Sequence, residues 1–385
     1  MTVTAPKGFR AAGVAAGIKE NGNKDLALVV NDGPLDVAAG VFTSNKVKAA
    51  PVLWSQQVLT TGRAGAVVLN SGGANACTGP EGFQDTHKTA EHVAETLGIG
   101  AVDVAVCSTG LIGARLPMDK LTAGVTAAAA QLANTPEAGL AAAEAVMTTD
   151  TVAKQAQASA HGWTIGGFAK GAGMCAPNMA TMLSVLTTDA VLDQEQAALA
   201  LTAAVSRTFN TLDVDGGTST NDTVLLLCSG ASGQTPTVDE FTQKLTQVCH
   251  DLVKQLQADA EGVTKHISIT VTGAATDDEA KKAAKVIAQD NLCKTAFFGS
   301  DPNWGRVAMA VGNAPTDFDP TRLDITINGV EVCRAGAAGE DRGKADLSGR
   351  DITVEVNLNA GTGAATVLTT DLSHGYVEEN SAYSS

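Results

Sequence analysis

The sequence predicts a layered α/β (α+β) fold, with helices on mixed sheets in a sandwich and a smaller C-terminal α/β domain. Three observations carry that expectation. Short apolar runs bounded by turn residues alternate with longer Ala-rich or amphipathic stretches. Two capping-box patterns, Thr237-Val-Asp-Glu240 and Thr276-Asp-Asp-Glu279, open helices. The last hundred or so residues turn to strand signals, led by Asn328-Gly329 between two β-branched runs.

Taken in order, Leu26–Val30 and Ala66–Leu69 read as strands, and Asp85–Leu97 as a helix. Val102–Cys107 is a strand running into the turn Ser108-Thr109-Gly110. Met118–Ala133 and Pro136–Met147 are Ala-rich helices, the second with proline in its first turn. Trp163–Gly167 and Thr181–Leu186 are strands on either side of a glycine-rich stretch. Asp193–Phe209 is a helix and Val224–Cys228 a buried strand. The capping boxes open helices to about Ala260 and Asp290, with the strand His266–Val271 between them. Asp324–Ile327 and Val330–Cys333 form a hairpin, followed by strands at Ile352–Leu358 and Thr366–Thr370. The domain boundary is expected after the strand ending near Gly273, giving domains 1–275 and 276–385.

Composition narrows the function. Hydrophobic residues at 44% against 17% charged fit a packed globular chain. With aromatics at 4%, the core must be built from Ala, Val, Leu and Ile. The net charge of −15 repels phosphate backbones and anionic lipid, so neither nucleic acid nor membrane is an expected partner. The seven cysteines are scattered and contain no CxxC pair, which reads as reduced thiols. With no signal-like N-terminus and no long apolar span, a cytoplasmic location is expected.

Some motifs fail on inspection. Gly166-Gly-Phe-Ala-Lys-Gly171-Ala-Gly173 looks like a phosphate loop, but no lysine and hydroxyl follow Gly171. His87 and His92 stand five apart on a helix, without the companions of a zinc set, so no metal is expected.

Three stretches carry chemistry. The first is Lys170-Gly-Ala-Gly-Met-Cys-Ala-Pro-Asn-Met-Ala180-Thr181, leading into an apolar strand. Thr181 is an ordinary β-former on its own, and a nucleophile if the Ala180–Thr181 bond breaks. The freed α-amine, with a reference pKa of about 7.7–8.0, can then take the hydroxyl proton. The second is Cys107-Ser-Thr-Gly-Leu-Ile-Gly113, whose Thr109 and Gly110 suit oxyanion stabilisation or a plain strand–turn cap. The third is the polar tail Val377–Ser385, which either frays or folds back over a site.

Together these stretches resemble the ornithine acetyltransferases of arginine biosynthesis, also known as glutamate N-acetyltransferases, along nearly the whole chain. The motifs are Asn70-Ser-Gly-Gly-Ala-Asn-Ala-Cys77, Ser108–Gly113, Met147-Thr-Thr-Asp150, Lys170–Leu183 and Asp215-Gly-Gly-Thr-Ser-Thr-Asn-Asp-Thr223. Ala260–Lys265, Phe298–Arg306 and Asn380-Ser-Ala-Tyr-Ser-Ser385 complete the set. Gly73 and Gly217 depart from the family pattern, where Asn and an acidic residue are usual.

The resemblance implies the fold of that family and a precursor that cleaves itself into chains 1–180 and 181–385, assembling as two copies of each. It implies acetyl transfer from N2-acetyl-L-ornithine to L-glutamate through an acetyl-Thr181 ester. No cofactor is implied, although acetyl-CoA serves some members as a co-substrate. Carried over, Thr181 is the nucleophile, and Thr109 and Gly110 form the oxyanion hole. Thr148, Lys170, Thr181, Glu261, Asn380 and Ser385 contact substrate, with Thr149 adjacent to Thr148 and chemically equal to it. By charge, Lys170 suits an α-carboxylate and Glu261 the ornithine ammonium, or the pairings are exchanged. The rival readings are a self-processing amidase or aminopeptidase, with water as acceptor, and an uncleaved amino-acid sensor.

Overall fold

A computed structural model describes residues 2–174 and 182–382. In chain order the elements are β1 (Phe9–Val14), β2 (Leu26–Asn31), β3 (Val37–Phe42), α1 (Ala50–Val58), β4 (Ala66–Asn70), α2 (Gly79–Leu97), β5 (Val104–Ser108), α3 (Met118–Ala130) and α4 (Pro136–Ala145). Next come β6 (Lys154–Ala160), β7 (Trp163–Lys170), β8 (Leu183–Thr188), α5 (Gln194–Arg207), β9 (Leu212–Asp213), β10 (Thr223–Cys228) and α6 (Val238–Ala258). Then follow β11 (His266–Ala274), α7 (Asp277–Gln289), α8 (Asn291–Phe298), α9 (Trp304–Gly312), β12 (Asp324–Ile327) and β13 (Val330–Arg334). The chain ends with β14 (Ala337–Ala338), β15 (Asp351–Asn357), β16 (Gly363–Thr370) and α10 (His374–Ala382).

The chain divides into two units, Met1–Asn210 with Thr218–Leu256, and Thr211–Gly217 with Gln257–Ser385. The boundary expected at 275 falls inside the second unit. The reason is β11, expected in the first domain. It pairs parallel with β15 and antiparallel with β16, so its hydrogen bonds belong to the C-terminal sheet.

The first unit stacks two mixed sheets, β1-β2-β4-β5 and β3-β10-β8-β7-β6. Between them lies a core of small and branched side chains, including Ala27, Val29, Val67, Leu69, Phe168, Val185, Leu225 and Leu227. This is the alternation of strand side chains at work. Val29 and Val67 face this core, while Leu28, Val30 and Val68 face α1, α2 and α3 on the other side. On the far sheet, Trp163 of β7 stacks on Phe241 of α6 with ring centroids 5.5 Å apart. Gly166 sits opposite the N-terminal segment, and a Cβ there would come within 2.1 Å of Thr2 O. Gly166 and Gly167, the first glycines of the phosphate-loop look-alike, are therefore packing positions inside β7.

The second unit is one seven-stranded sheet, β14-β13-β12-β15-β11-β16-β9, with α7, α8 and α9 over the face that carries Ile267, Ile269, Val271, Ile325, Val354 and Val356. Asn328 and Gly329 take φ of 43° and 80°, the left-handed pair that the Asn-Gly hairpin signal requires. Thr276 Oγ1 caps α7 by accepting from the Glu279 N–H at 3.2 Å.

Other bounds moved. α2 begins at Gly79, ahead of the expected Asp85, and the tail expected to fray or fold back is helical from His374 to Ala382. Among the described residues, no helix is long and apolar enough to cross a membrane.

Candidate active site

The Ser108–Gly110 turn of the first unit is built by β4 and β5, which run parallel and end side by side. Asn70, closing β4, accepts from Ser108 Oγ at 2.6 Å and donates through Nδ2 to Gly73 O at 2.9 Å. The Thr109 N–H donates to Asn70 O at 3.0 Å. Asn221 ties the same turn from the loop before β10, donating to Ala74 O at 2.6 Å and Ser108 O at 2.8 Å. Gly110 adopts φ +130°, and a Cβ there would lie 2.5 Å from Gly72 C and Gly73 N. Only glycine allows that approach. With the Thr109 backbone N–H committed, the turn offers the Thr109 hydroxyl and the Gly110 N–H as donors for a developing oxyanion.

Beside the turn lies a buried charge cluster. Lys170 ends β7, is 1% exposed, and donates from Nζ to Thr148 Oγ1 at 2.8 Å and to Thr109 Oγ1 at 3.3 Å. Because Thr109 Oγ1 accepts from the ammonium, its own proton is directed elsewhere. Asp150 holds the cluster together. Its Oδ1 accepts from Lys154 Nζ at 2.6 Å and the Gly171 N–H at 2.7 Å, and its Oδ2 from the Thr148 N–H at 3.1 Å. Lys170 Nζ stands 3.9 Å from Asp150 Oδ2. Burial alone would raise the Asp150 carboxyl. The Lys170 and Lys154 ammoniums and the bonds from Lys154 and Gly171 outweigh it and hold the group down at about 2.

A second carboxyl closes the same region. Asp222 is fully buried, and its Oδ1 accepts from the Met182 N–H at 3.0 Å. Its Oδ2 has no hydrogen-bond partner among the described residues. Burial pushes the group well above the usual carboxylate range, against the Met182 N–H, Ser219 and the charge of Lys170. Lys170 and Lys154 set two buried cationic side chains against the one carboxylate of Asp150.

The second unit carries the other candidates. The loop after α6 holds Glu261, and α10 holds Asn380, whose Nδ2 donates to Glu261 Oε2 at 2.9 Å. Gly262, at φ +59°, makes this possible, since a Cβ would come within 2.0 Å of the Tyr376 N. Ser373 Oγ ties loop and helix by donating to Gly262 O at 2.5 Å and accepting from the Tyr376 N–H at 3.0 Å.

The structure thus brings Thr109, Gly110, Thr148 and Lys170 together in one unit, and Glu261 and Asn380 together in the other. Ala180, Thr181 and Ser385 lie outside the described residues. Thr149 makes no hydrogen bond like that of Thr148 to Lys170. Sequence reasoning did not single out Lys154 or Asp222, and gave Asp150 no role beyond its place in a motif. Among the described residues no cluster of His, Cys, Asp and Glu could hold a metal ion, and His92 Nε2 instead meets Thr126 Oγ1 at 3.0 Å.

The ArgJ family model matches residues 10–385. The arginine biosynthesis bifunctional protein ArgJ of Mycolicibacterium paratuberculosis is 62% identical over 389 residues, covering 100% of this chain and 96% of the relative. The protein of the same description from Thermobifida fusca is 60% identical over 384 residues, covering 100% of both. A crystal structure of ornithine acetyltransferase complexed with ornithine, from Mycobacterium tuberculosis, is 65% identical over 46% of this chain and 94% of that chain, with a TM-score of 0.45. Matched from residue 10 to its last residue, and at full length by such relatives, the chain belongs to the ArgJ family.

Proposed function

We propose that this enzyme of arginine biosynthesis moves the acetyl group of N2-acetyl-L-ornithine to L-glutamate through an ester on Thr181. The observation that carries the reading is Lys170, an ammonium 1% exposed and hydrogen-bonded to the hydroxyls of both Thr109 and Thr148. A buried cation against an oxyanion turn suits a substrate with a carboxylate close to its reacting amide.

The chemistry runs in two stages. First, the Thr181 hydroxyl attacks the Ala180 carbonyl, the peptide C–N bond breaks, and the acyl group passes from nitrogen to oxygen. Water hydrolyses that ester, leaving residues 1–180 with a carboxylate and Thr181 with a free α-amine. In the second stage the amine takes the hydroxyl proton as the oxygen attacks the acetyl carbonyl. Negative charge on the tetrahedral oxygen is met by the Thr109 hydroxyl and the Gly110 N–H. Ornithine leaves with the proton, and the amine of glutamate then attacks the acetyl-threonine ester and restores the hydroxyl.

Lys170 holds the substrate α-carboxylate next to the reacting nitrogen. Glu261 and Asn380, with Ser385, recognise the substrate as well, Glu261 through the ornithine ammonium. The cleaved chains assemble as two copies of each, no cofactor takes part, and acetyl-CoA is an alternative donor.

Intact mass, N-terminal sequencing and ornithine release test this. Wild type should give two chains, the second beginning Thr-Met-Leu-Ser, while Thr181→Ala stays at full length and is inactive. Ornithine release should require glutamate. A full-length wild type, or release that ignores glutamate, sinks the transferase reading.

A further inference from the structure

A third lysine stands next to the Lys170–Lys154 cluster, on a loop that the chemistry above leaves without a role. Lys19 follows β1 and is half-buried. Its Nζ donates to Met147 O at 2.7 Å and to Lys24 O at 3.0 Å. Met147 directly precedes Thr148, which accepts from Lys170. Consecutive Cα atoms lie about 3.8 Å apart, so the two ammoniums are within roughly 10 Å of each other. The stem of Lys19 lies on Gly72, where an added Cβ would meet Lys19 Cγ at 3.2 Å. Gly72 is also the residue against which Gly110 closes. Lys19 therefore flanks the oxyanion turn and the carboxylate cluster at once.

Its backbone is fixed for the purpose. Asp25 accepts from the Ala16 N–H at 2.6 Å and the Lys19 N–H at 2.9 Å, pinning the loop to the start of β2. An ammonium has three donors, and two end on carbonyls of this unit. Burial lowers the Lys19 pKa, and the charge of Lys170 lowers it further, against Asp25 and Asp150. Lys19, Lys170 and Lys154 thus set three cationic side chains against the carboxylates of Asp25 and Asp150.

We infer that Lys19 reads the second carboxylate of the acceptor amino acid. Lys170, deeper and against the oxyanion turn, takes the carboxylate beside the reacting amine. Lys19, nearer solvent, meets the carboxylate at the end of the side chain. Acetylornithine has no second carboxylate, so Lys19 acts on the acceptor step and sets its preference for a dicarboxylic amino acid. This inference rests on the transferase reading.

The test compares L-glutamate with L-glutamine as acceptors at fixed acetylornithine, in wild type, Lys19→Met and Lys19→Arg. Methionine keeps an unbranched stem against Gly72 but carries no charge. Wild type should prefer glutamate, and Lys19→Met should lower the glutamate-to-glutamine ratio of kcat/KM by about tenfold or more, as expected for a charge-assisted hydrogen bond. Lys19→Arg should recover part of that ratio. A merely structural lysine would lower both acceptors by one factor and leave the ratio unmoved, which overturns the inference. Equal use of glutamine by wild type overturns it as well, whether or not the variants fold. Absence of acetyl transfer to either acceptor in wild type would instead remove the transferase reading, and this inference with it.

Discussion

At the residue scale, Asp150 holds the site together. It is the carboxylate between two ammoniums, and all three side chains are 1% exposed or less. Removing one member of such a group costs far more than the group contributes, because a buried charge is left uncompensated. Asp150→Asn should therefore lower unfolding stability by about 3–5 kcal/mol, read from the urea midpoint at pH 7. It should also lower kcat/KM, since Lys170 loses the anion that fixes it. The pH sign follows from the direction of the shift. The folded carboxyl sits at about 2, below its ordinary value of 3.8. Its contribution is thus in place above about pH 4 and is lost as pH falls toward 2. Asp150→Asn should be flat across that window relative to wild type. Little of this cluster was legible in the sequence. Thr109, Thr148 and Lys170 came from family resemblance, each being ambiguous in its own setting. Lys154 and Asp222 were missed because full burial of a charged side chain leaves no local pattern. Only the fold puts Lys154, from a polar strand, under Asp150.

At the element scale, the site depends on how closely α4 lies on β1. A Cβ on Gly13 would come 1.9 Å from Ala141 O and 2.8 Å from Ala142 N, both in the backbone of α4. The helix then leads through Met147 to Thr148 and Asp150, and Ser71 Oγ grips its end by donating to Ala145 O at 2.7 Å. Gly13→Ala must push the helix outward, and should cost about 3 kcal/mol by overpacking. The urea midpoint and kcat/KM should fall together, since Thr148 moves with the helix. Gly349→Ala, where an added Cβ meets nothing within 4 Å, should change neither. Elements with a strong local signal were readable in advance. The Asn328-Gly329 hairpin, the Asp193 and Thr276 helix starts and the apolar β10 all appear where expected. Two of the missed elements lack such a signal. β6, Lys-Gln-Ala-Gln-Ala-Ser-Ala, is polar and is a strand because β7 offers it an edge. α10 has almost no apolar face, and its start is fixed by Ser373 and the Glu261 loop, contacts distant in sequence.

For the whole molecule, each unit has its own core, and titration should separate their stabilities. In the second unit, Asp213 on β9 is fully buried. Burial raises its carboxyl to about 6, against hydrogen bonds from Gln289 Nε2 at 2.7 Å and the Gly216 N–H at 3.0 Å and the charge of Lys294. A carboxyl raised on folding stabilises the fold below its ordinary pKa, and that contribution is lost as pH rises through the folded value. Between pH 5 and 7, wild type should lose about 1 kcal/mol through this group alone. Acidification also relieves self-repulsion in a chain of net charge −15, so a rise in overall stability at pH 5 proves nothing by itself. Asp213→Asn removes the titration and keeps an acceptor for the Gly216 N–H, while the Gln289 amide can turn to offer its oxygen. Hydrogen exchange of β11 and β16, corrected for the intrinsic pH dependence, isolates the effect. Protection in wild type should gain about 1 kcal/mol over Asp213→Asn on going from pH 7 to 5. A constant difference at the two pH values would mean that Asp213 is ionised throughout, with Lys294 compensating it in full.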